Sequence, residues 1–482
     1  MLTRGDEFSW RGVAKRDSLP SGLFQEDRDG GERRSREFWR RAAAKKGQQL
    51  LAGAVLQRTV TLARLGGDEA GAKAAWRFLH NERVSEAALI AAARDHLLSQ
   101  VHGRRVLVIQ DTSEINFSRH QRSKSRFGRG GNGNDPAFFI HPALAVDGES
   151  GVILGLADVQ LWERRRPARP DKRARATAEK ESRRWLAGAE AAAGLRAAGA
   201  TSVTVVADRE GDLYPAFARR PDAVELLVRA QTDRALADGG HLFAHLDALP
   251  IAERFTLDLP AVPGRAARQA TMVLRYGPVC LRRPKDRAER DLPENVDLYA
   301  LDVREIDAPA NVDPVHWRLL SSAPIDDNAA AHRAIADYRR RWHIEQLFRT
   351  VKSQGLGLEE SQVADPAALR KLALIALRAA VVCLQLVHAR DGADKRPATA
   401  TFCANDIHVL EALAPTVDGR TVRLSNPFPP HSLPWAAWII ARLGGWLGAR
   451  NGKPPGPITM HRGLQSFRAI AHGFRLRDVS IP

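Results

Sequence analysis

The chain has 482 residues, of which 44% are hydrophobic, which is enough for two or three domains with their own cores and excludes a wholly disordered chain. Its 73 Lys and Arg residues outnumber its 56 Asp and Glu residues and give a formal net charge of +17. This charge favours a polyanionic partner, with nucleic acid as the first candidate, although a composition bias of the genome is an alternative explanation.

The cysteine and hydropathy patterns narrow the class of protein further. Cys280, Cys383 and Cys403 lack the spacing of a zinc site or of a disulfide framework, which fits a reducing cytoplasm. The N-terminus, MLTRGDEFSWRG, has no apolar signal-peptide core, and the apolar stretches near 372–387 and 433–447 are each interrupted by an arginine. We therefore expect no membrane span.

The N-terminal part of the chain is first basic and then helical. The run ERRSREFWRRAAAKK at 32–46 reads as a basic helix or arm that can follow a phosphate backbone. Between about 49 and 100, apolar residues recur at helical spacing in several short runs, which predicts several short helices. We expect residues 1–88 to form a helical domain.

Two short β-branched runs each end in an aspartate. RRVLVIQDTS reads as a buried strand that ends at Asp111, and TSVTVVADRE reads as a second strand that ends at Asp208. Between them, residues 138–163 have the pattern of a strand hairpin and residues 179–199 that of a helix. Because open α/β sheets present their site groups at the carboxyl ends of strands, both aspartates are candidates for a functional site.

The second half of the chain is first β-rich and then helical. Residues 224–325 contain short β-like runs separated by turns rich in Pro, Gly and Asp, which predicts a β-rich subdomain inserted in an α/β core. From about residue 366 onward, helical runs dominate. We therefore predict an α/β core over residues 89–375 and a helical C-terminal domain over residues 376–482.

One segment before these helices carries a polar stripe. Its four polar members are spaced three, four and seven residues apart, within about 60° on one face of a single helix, and are Tyr338, Arg341, Glu345 and Lys352. The apolar residues of the segment point to the neighbouring side and are Ile344, Leu347, Phe348 and Val351. The stripe is either a solvated face with an i,i+4 salt bridge or a site for metal and phosphate.

Asp111, Asp208 and Glu345 together form a candidate cluster of three carboxylates. Mg²⁺ prefers oxygen ligands, and two such ions about 3.5–4 Å apart can activate a water or hydroxyl and stabilise the leaving oxygen of a phosphodiester. Taken singly, each aspartate is also typical of a turn or cap. Their joint placement at strand ends, with a glutamate on a later helix, favours the metal site.

Three motifs occur in the order found in a known family. VLVIQDTS, VVADREGDLY and the spacing Tyr338-x2-Arg341-x3-Glu345-x6-Lys352 resemble the DDE transposases of cut-and-paste bacterial insertion sequences, in the subgroup that carries the YREK motif. The likeness extends to AKAAWRFLHNERVS, EKESRRWL and SLPWAAWIIARLGGWLG, and so covers roughly residues 70–475.

The resemblance implies a fold and a catalytic centre. It implies a ribonuclease H-like core in which Asp111, Asp208 and Glu345 form the catalytic, metal-binding triad. The cofactor implied is a pair of Mg²⁺ ions, for which Mn²⁺ substitutes. The β-rich subdomain would be inserted between the second and third members of the triad.

The resemblance also implies contacts with DNA. The positions concerned are Tyr338, Arg341, Lys352, Trp317, Arg209 and Arg229. The first three would hold phosphates of the transposon end, a role that suits charge-assisted arginine contacts. Trp317 would stack on a flipped base during hairpin formation, and the alternative for this residue is an ordinary core tryptophan.

Two basic segments have less definite roles. The stretch SRHQRSKSRFGRGGNGND at 118–135 either contacts the DNA backbone or forms a solvated hairpin tip. The first sixty residues depart from the family's usual pattern, and EDRDGGERRSREFWRRAAAKK at 26–46 only loosely resembles its basic helix-turn segment. Recognition of DNA ends, which the resemblance implies for residues 1–88, depends on this segment.

The sequence therefore predicts an α/β transposase that cleaves double-stranded DNA at terminal inverted repeats, forms and reopens a hairpin, and joins the ends to target DNA. The resemblance implies a homodimer formed on DNA through the C-terminal helices, in the bacterial cytoplasm at the nucleoid. The alternative from another class is a catalytically silent DNA-binding copy or an inhibitor of transposition. A metal-dependent nuclease without strand transfer is a third possibility.

Overall fold

The computed structural model describes residues 46–479, except 56, 58, 121–123, 125, 132, 165–179, 260–265, 286–290, 353–354, 393, 403, 420, 422–423 and 449–453. The predicted basic arm at 32–46 lies outside the described residues apart from its last position.

Short helices form the N-terminal part of the described chain. Residues 46–55 are helical and precede three further helices, α1 (Leu62–Gly66), α2 (Glu69–His80) and α3 (Glu86–Leu98). The side chain of Asp68 accepts the Gly71 N–H at the start of α2, and Ser85 accepts the Ala88 N–H at the start of α3, so both helices begin at capping residues. The short helices predicted between 49 and 100 are confirmed.

Within the described residues, ten strands form one mixed sheet. They are β1 (Arg105–Gln110), β2 (Ser113–Asn116), β3 (Ala137–Asp147), β4 (Ile153–Trp162), β5 (Ser202–Ala207), β6 (Glu225–Arg229), β7 (Glu253–Leu259), β8 (Arg268–Arg282), β9 (Asn295–Ile306) and β10 (His316–Ser321). Their hydrogen-bonded order is β2-β3-β1-β5-β6-β10-β9-β8-β7, and β4 also pairs with β3.

The centre of the sheet matches the predicted elements. β1 and β5 pair in parallel, β3 and β4 form the predicted hairpin, and helix α4 (Arg183–Ala197) packs against β4 and β5. All eleven residues of β3 are buried, because this strand has a partner on both edges and is covered on both faces. The two strands that end at aspartates are thus confirmed at the centre of the protein.

The predicted β-rich insertion continues this sheet. β6 pairs in parallel with β5 and antiparallel with β10, and β10, β9, β8 and β7 follow as antiparallel neighbours. Two short helices, α5 (Tyr214–Ala218) and α6 (Leu242–Ala248), lie along this part of the chain. Because both edges of β6 are hydrogen-bonded, the strands of the predicted insertion at 224–325 are present but do not form a separate sheet.

Helices follow the last strand. They are α7 (Asn328–Arg339), α8 (Trp342–Val351), α9 (Pro366–Ala389), α10 (Ala404–Val417), α11 (Leu433–Leu443) and α12 (Pro457–Val479). Helix α9 is long and apolar enough to cross a membrane, but 94% of its most apolar window is buried inside the protein, as in the core helix of a globular protein. The predicted domain limits at 88 and 375 fall inside α3 and α9, and the division into domains stays a prediction.

The single helix predicted over 338–352 is wrong. The backbone breaks between α7 and α8, so that Tyr338 lies on the first helix and Arg341 caps the second. Tyr338 is only 5% exposed and does not belong to a polar face. Long-range contacts stabilise the chain at this break, because the Arg340 guanidinium donates to the backbone carbonyls of Gly148 and Glu149.

Candidate active site

The first two predicted carboxylates stand side by side at the end of the central sheet. In the parallel pair β1 and β5, Ile109 lies opposite Val206, an offset of 206 − 109 = 97 positions. Asp111 and Asp208 have the same offset, 208 − 111 = 97, and each directly follows the last residue of its strand. Because neighbouring strands are about 4.8 Å apart, the two side chains start from adjacent backbone positions.

The carboxylate of Asp111 is largely buried, with 16% of its side chain exposed. Its Oδ1 accepts the backbone N–H of Thr112 at 2.7 Å. Burial raises the pKa of Asp111 to about 7, and the charge of Asp208 acts in the same sense, against the Thr112 N–H and Arg341. Asp208 is therefore close enough to oppose the ionisation of Asp111.

Asp208 begins a short 3-10 turn, Arg209–Gly211, and its Oδ1 accepts the N–H of Glu210 at 2.9 Å. Desolvation raises the pKa of Glu210, and the charge of Asp208 raises it further. Glu210 was not among the predicted site residues, although it stands in the same ADREGD motif. It is a fourth carboxylate at this edge of the sheet.

Arg341 connects the first aspartate to Glu345. Its Nη2 donates to Glu345 Oε1 at 2.7 Å, and its Nη1 lies 3.4 Å from Asp111 Oδ2. Glu345 stands on α8, which packs against β1 and α9 through buried Ile344 and Leu347. The apolar side predicted for this segment is confirmed, and it directs Glu345 towards the end of β1.

A second ion pair anchors α7 and therefore the start of α8. Arg105, the first residue of β1, bonds both carboxylate oxygens of Asp337, at 2.7 and 3.0 Å. Both side chains are mostly buried, since 19% of Arg105 and 8% of Asp337 are exposed. A bidentate pair of this kind restricts orientation as well as distance, so it holds the α7–α8 junction against the sheet.

Trp317, Tyr338 and Arg229 form one cluster beside these carboxylates. The rings of Trp317 and Tyr338 meet edge to face with centroids 5.8 Å apart. Burial raises the pKa of Tyr338, whereas the nearby charges of Arg229 and Arg341 lower it. Arg229 also donates from Nη2 to the backbone carbonyl of His316 at 2.9 Å. The strand that carries Trp317 is thereby linked to the helix that carries Tyr338.

The two remaining predicted residues, Lys352 and Arg209, lie outside this cluster. Lys352 caps the C-terminus of α8, and its Nζ is 3.8 Å from Glu359 Oε1. Glu359 in turn accepts the N–H of Asn116 at 3.2 Å. Arg209 is exposed directly after Asp208, and within the described residues no hydrogen bond joins its side chain to the other predicted residues.

The donor atoms fit a hard cation. Asp111, Asp208 and Glu345 offer only carboxylate oxygens, the ligands that Mg²⁺ prefers, and burial is the main cause of the raised pKa of Asp111. In the described part of the chain, however, no three such side chains stand at metal-binding distances from one another. The guanidinium of Arg341 lies between Asp111 and Glu345 and pairs with both carboxylates.

A comparison with known protein families decides the class of protein. A family described as "Transposase DDE domain" matches residues 102–382, which is more than half of the 482 residues. The chain belongs to this DDE transposase family. The match begins just before β1 and ends within α9, so it includes every strand of the sheet. The protein is therefore a transposase, and DNA is its substrate.

Some contacts that organise the transposase site were not predicted from the sequence. They involve Glu210, the ion pair between Lys352 and Glu359, and a hydrogen bond that holds the basic stretch at 118–135. There Glu114 Oε2 accepts the N–H of Gly131 at 2.6 Å. Glu359 follows the YREK segment by seven residues, but without the fold no signal separates it from an ordinary surface glutamate.

Proposed function

We propose that this transposase cleaves and joins DNA at the terminal inverted repeats of a bacterial insertion sequence of the YREK subgroup, by a cut-and-paste route through a hairpin. The observation that supports the proposal best is the geometry of the acidic residues. Asp111 and Asp208 end neighbouring parallel strands at the same register, and Arg341 ties Glu345 to Asp111. Phosphoryl transfer by carboxylate-bound metal needs such a convergence.

In this proposal Asp111, Asp208 and Glu345 hold two Mg²⁺ ions, or Mn²⁺ in their place. When bound, the ions supply an activated oxygen nucleophile and stabilise the leaving oxygen of the phosphodiester. The neighbouring protein groups position the carboxylates. Thr112 holds one oxygen of Asp111 and Glu210 holds one oxygen of Asp208 through backbone N–H groups, which limits the rotation of both carboxylates.

In this proposal the cationic side chains beside the carboxylates bind the DNA. Arg341 and Lys352 are paired with Glu345 and Glu359 in the structure, and we propose that phosphates of the transposon end replace these carboxylates as partners. Guanidinium groups suit this exchange because they bind phosphate and carboxylate with the same planar geometry. Four further residues complete the proposed DNA-contacting set, namely Tyr338, Trp317, Arg229 and exposed Arg209.

We also propose a division of the chain into three domains. The mixed sheet with Asp111 and Asp208 at its centre supports a ribonuclease H-like core over 89–375, with the insertion at about 224–325. We propose that residues 1–88 recognise the DNA end and that residues 376–482 pair two protomers on DNA. A bacterial cytoplasmic location at the nucleoid follows from this substrate.

A cleavage assay tests the proposed function. Full-length protein is incubated with Mg²⁺ and duplex DNA that carries the terminal repeats flanking its gene, and strand breaks are mapped by sequencing gel. We expect cuts at the repeat ends, hairpin-ended products, and no cleavage in EDTA. Binding of these ends without any cleavage would instead identify a catalytically silent DNA-binding copy. Cleavage that ends in neither hairpins nor joined products would identify a nuclease.

Replacing Trp317 by Ala should separate nicking from hairpin formation. If Trp317 stacks on a flipped base, its loss removes roughly 1–3 kcal/mol of stacking, so hairpin yield should fall about tenfold while first-strand nicking persists. The same denaturing gel measures both products. Because Trp317 also contacts Tyr338, Trp317→Phe serves as the control, which keeps an aromatic face and should restore hairpins in part. Equal loss of nicking and hairpins would argue against base stacking.

A further inference from the structure

A buried histidine connects the two residues that flank Asp111. His141 lies on β3, is 1% exposed, and faces the end of β1. Its Nδ1 is 2.9 Å from the Thr112 hydroxyl oxygen, and its Nε2 is 3.0 Å from Gln110 Oε1. One ring therefore contacts the residue before Asp111 and the residue after it.

The protonation state of the His141 ring determines which atom donates in each of its two hydrogen bonds. Burial lowers the pKa of His141 to about 3, and the charge of Arg184 lowers it further, so the imidazole is neutral and has one donor and one acceptor. In the orientation that the structure gives the Gln110 amide, Oε1 faces the ring and accepts, so the ring proton is on Nε2. Nδ1 then accepts the hydroxyl proton of Thr112. Thr112 thus donates its hydroxyl to His141 and its N–H to Asp111 Oδ1.

Helix α4 holds this arrangement from the other side. The edge of the His141 ring meets Trp185, with centroids 4.7 Å apart and planes at 78°. Gly188 approaches Gln110 so closely that a Cβ at this position would collide with the side-chain amide. The imidazole and the amide are therefore enclosed between α4 and the sheet, where neither can turn away without breaking its bond.

We propose that His141 is a positioning residue that sets the backbone at the end of β1 and thereby orients Asp111 for metal. The proposal rests on the proposed role of Asp111 as a metal ligand. His141 itself contacts neither Asp111 nor the reacting atoms. Groups that orient a metal ligand typically change metal affinity by about 10–100-fold when they are removed, and this is the size of effect expected here.

The test measures Mn²⁺ binding by the loss of the free-ion electron paramagnetic resonance signal, with full-length protein bound to duplex DNA that carries its terminal repeat. We expect His141→Leu to weaken Mn²⁺ binding at least tenfold. His141→Asn places a polar atom near the position of Nδ1 and keeps the bond to Thr112, so affinity should return to within about threefold of wild type. His141→Gln keeps only the bond to Gln110 and should restore less.

Controls separate positioning from general stability. His96 is another histidine whose pKa burial lowers to about 3, and it lies on α3, away from the carboxylates. His96→Leu should lower the melting temperature without changing Mn²⁺ affinity. The proposal is overturned if the His141 variants bind Mn²⁺ like wild type, if His96→Leu weakens binding equally, or if Gln restores affinity better than Asn.

The proposed role of Asp111 has its own control. Asp111→Asn should weaken Mn²⁺ binding more than any His141 variant. If the wild type binds no Mn²⁺, or if Asp111→Asn binds Mn²⁺ as tightly as the wild type, the proposed function fails together with this inference. If Asp111→Asn weakens binding and His141→Leu does not, only the role of His141 is refuted.

Discussion

Glu345→Gln is expected to reduce DNA cleavage by at least about 10²–10³-fold, the size of effect seen when a group that stabilises transition-state charge is removed. The amide has the shape of the carboxylate and its oxygen can still accept from Arg341, so the 2.7 Å contact that holds α8 in place should survive. What is lost is one negative charge and one anionic oxygen ligand. The measurement is the rate of strand cleavage on terminal-repeat DNA in saturating Mg²⁺.

A glutamate outside the site provides the matched control for this change. Glu360 is exposed in the turn Leu358–Glu360 that follows α8, and Glu360→Gln should cleave at the wild-type rate. The melting temperatures of both variants should stay within a few degrees of wild type. Cleavage by Glu345→Gln at more than about a third of the wild-type rate would refute the metal-ligand role of Glu345.

Asp111→Asn is expected to stabilise the metal-free protein most at pH 8, less at pH 5 and little near pH 4. The pKa of Asp111 is raised from its ordinary value of 3.8 to about 7 in the fold. Between these two values the folded state binds a proton that the unfolded state has released, so stability falls as pH rises, by up to about 1.4 kcal/mol per pH unit. Above about pH 7 the buried carboxylate is charged and the full cost is present. The amide removes that cost.

Thermal unfolding in EDTA across this pH range measures the effect. At pH 8 the melting temperature of Asp111→Asn should exceed that of wild type by several degrees, and the two should converge as the pH falls to about 4. Asp222→Asn, at an exposed position, is the control and should follow wild type. A variant that is less stable than wild type at pH 8 would show that the Asp111 charge is compensated in the fold. Addition of Mg²⁺ at pH 8 should stabilise wild type more than Asp111→Asn.

Local patterns were sufficient to predict much of the fold. The β-branched runs before Asp111 and Asp208 became β1 and β5, and the hairpin, the helix at 179–199 and the later strands lie where the sequence predicts them. These elements follow from side-chain periodicity and propensity, which act over a few residues. The position of both aspartates at the ends of strands follows in the same way.

Long-range contacts account for what the sequence did not predict. The helix expected over 338–352 is interrupted at a point where Arg340 binds Gly148 and Glu149 and where Asp337 binds Arg105. These partners lie about 190 to 230 positions earlier in the chain. Helical spacing alone cannot report side-chain partners that lie so far away in the chain. For the same reason the burial of Tyr338 against Trp317 was not foreseen.

The amino-acid order alone was enough to identify three carboxylates, their place at strand ends and on a later helix, and the resemblance to DDE transposases. The folded chain decided how those groups meet. Asp111 and Asp208 share one register across β1 and β5, Arg341 lies between Asp111 and Glu345, and His141 joins the two neighbours of Asp111. Strand register and ion-pair partners depend on packing between distant segments, so short-range patterns cannot specify them.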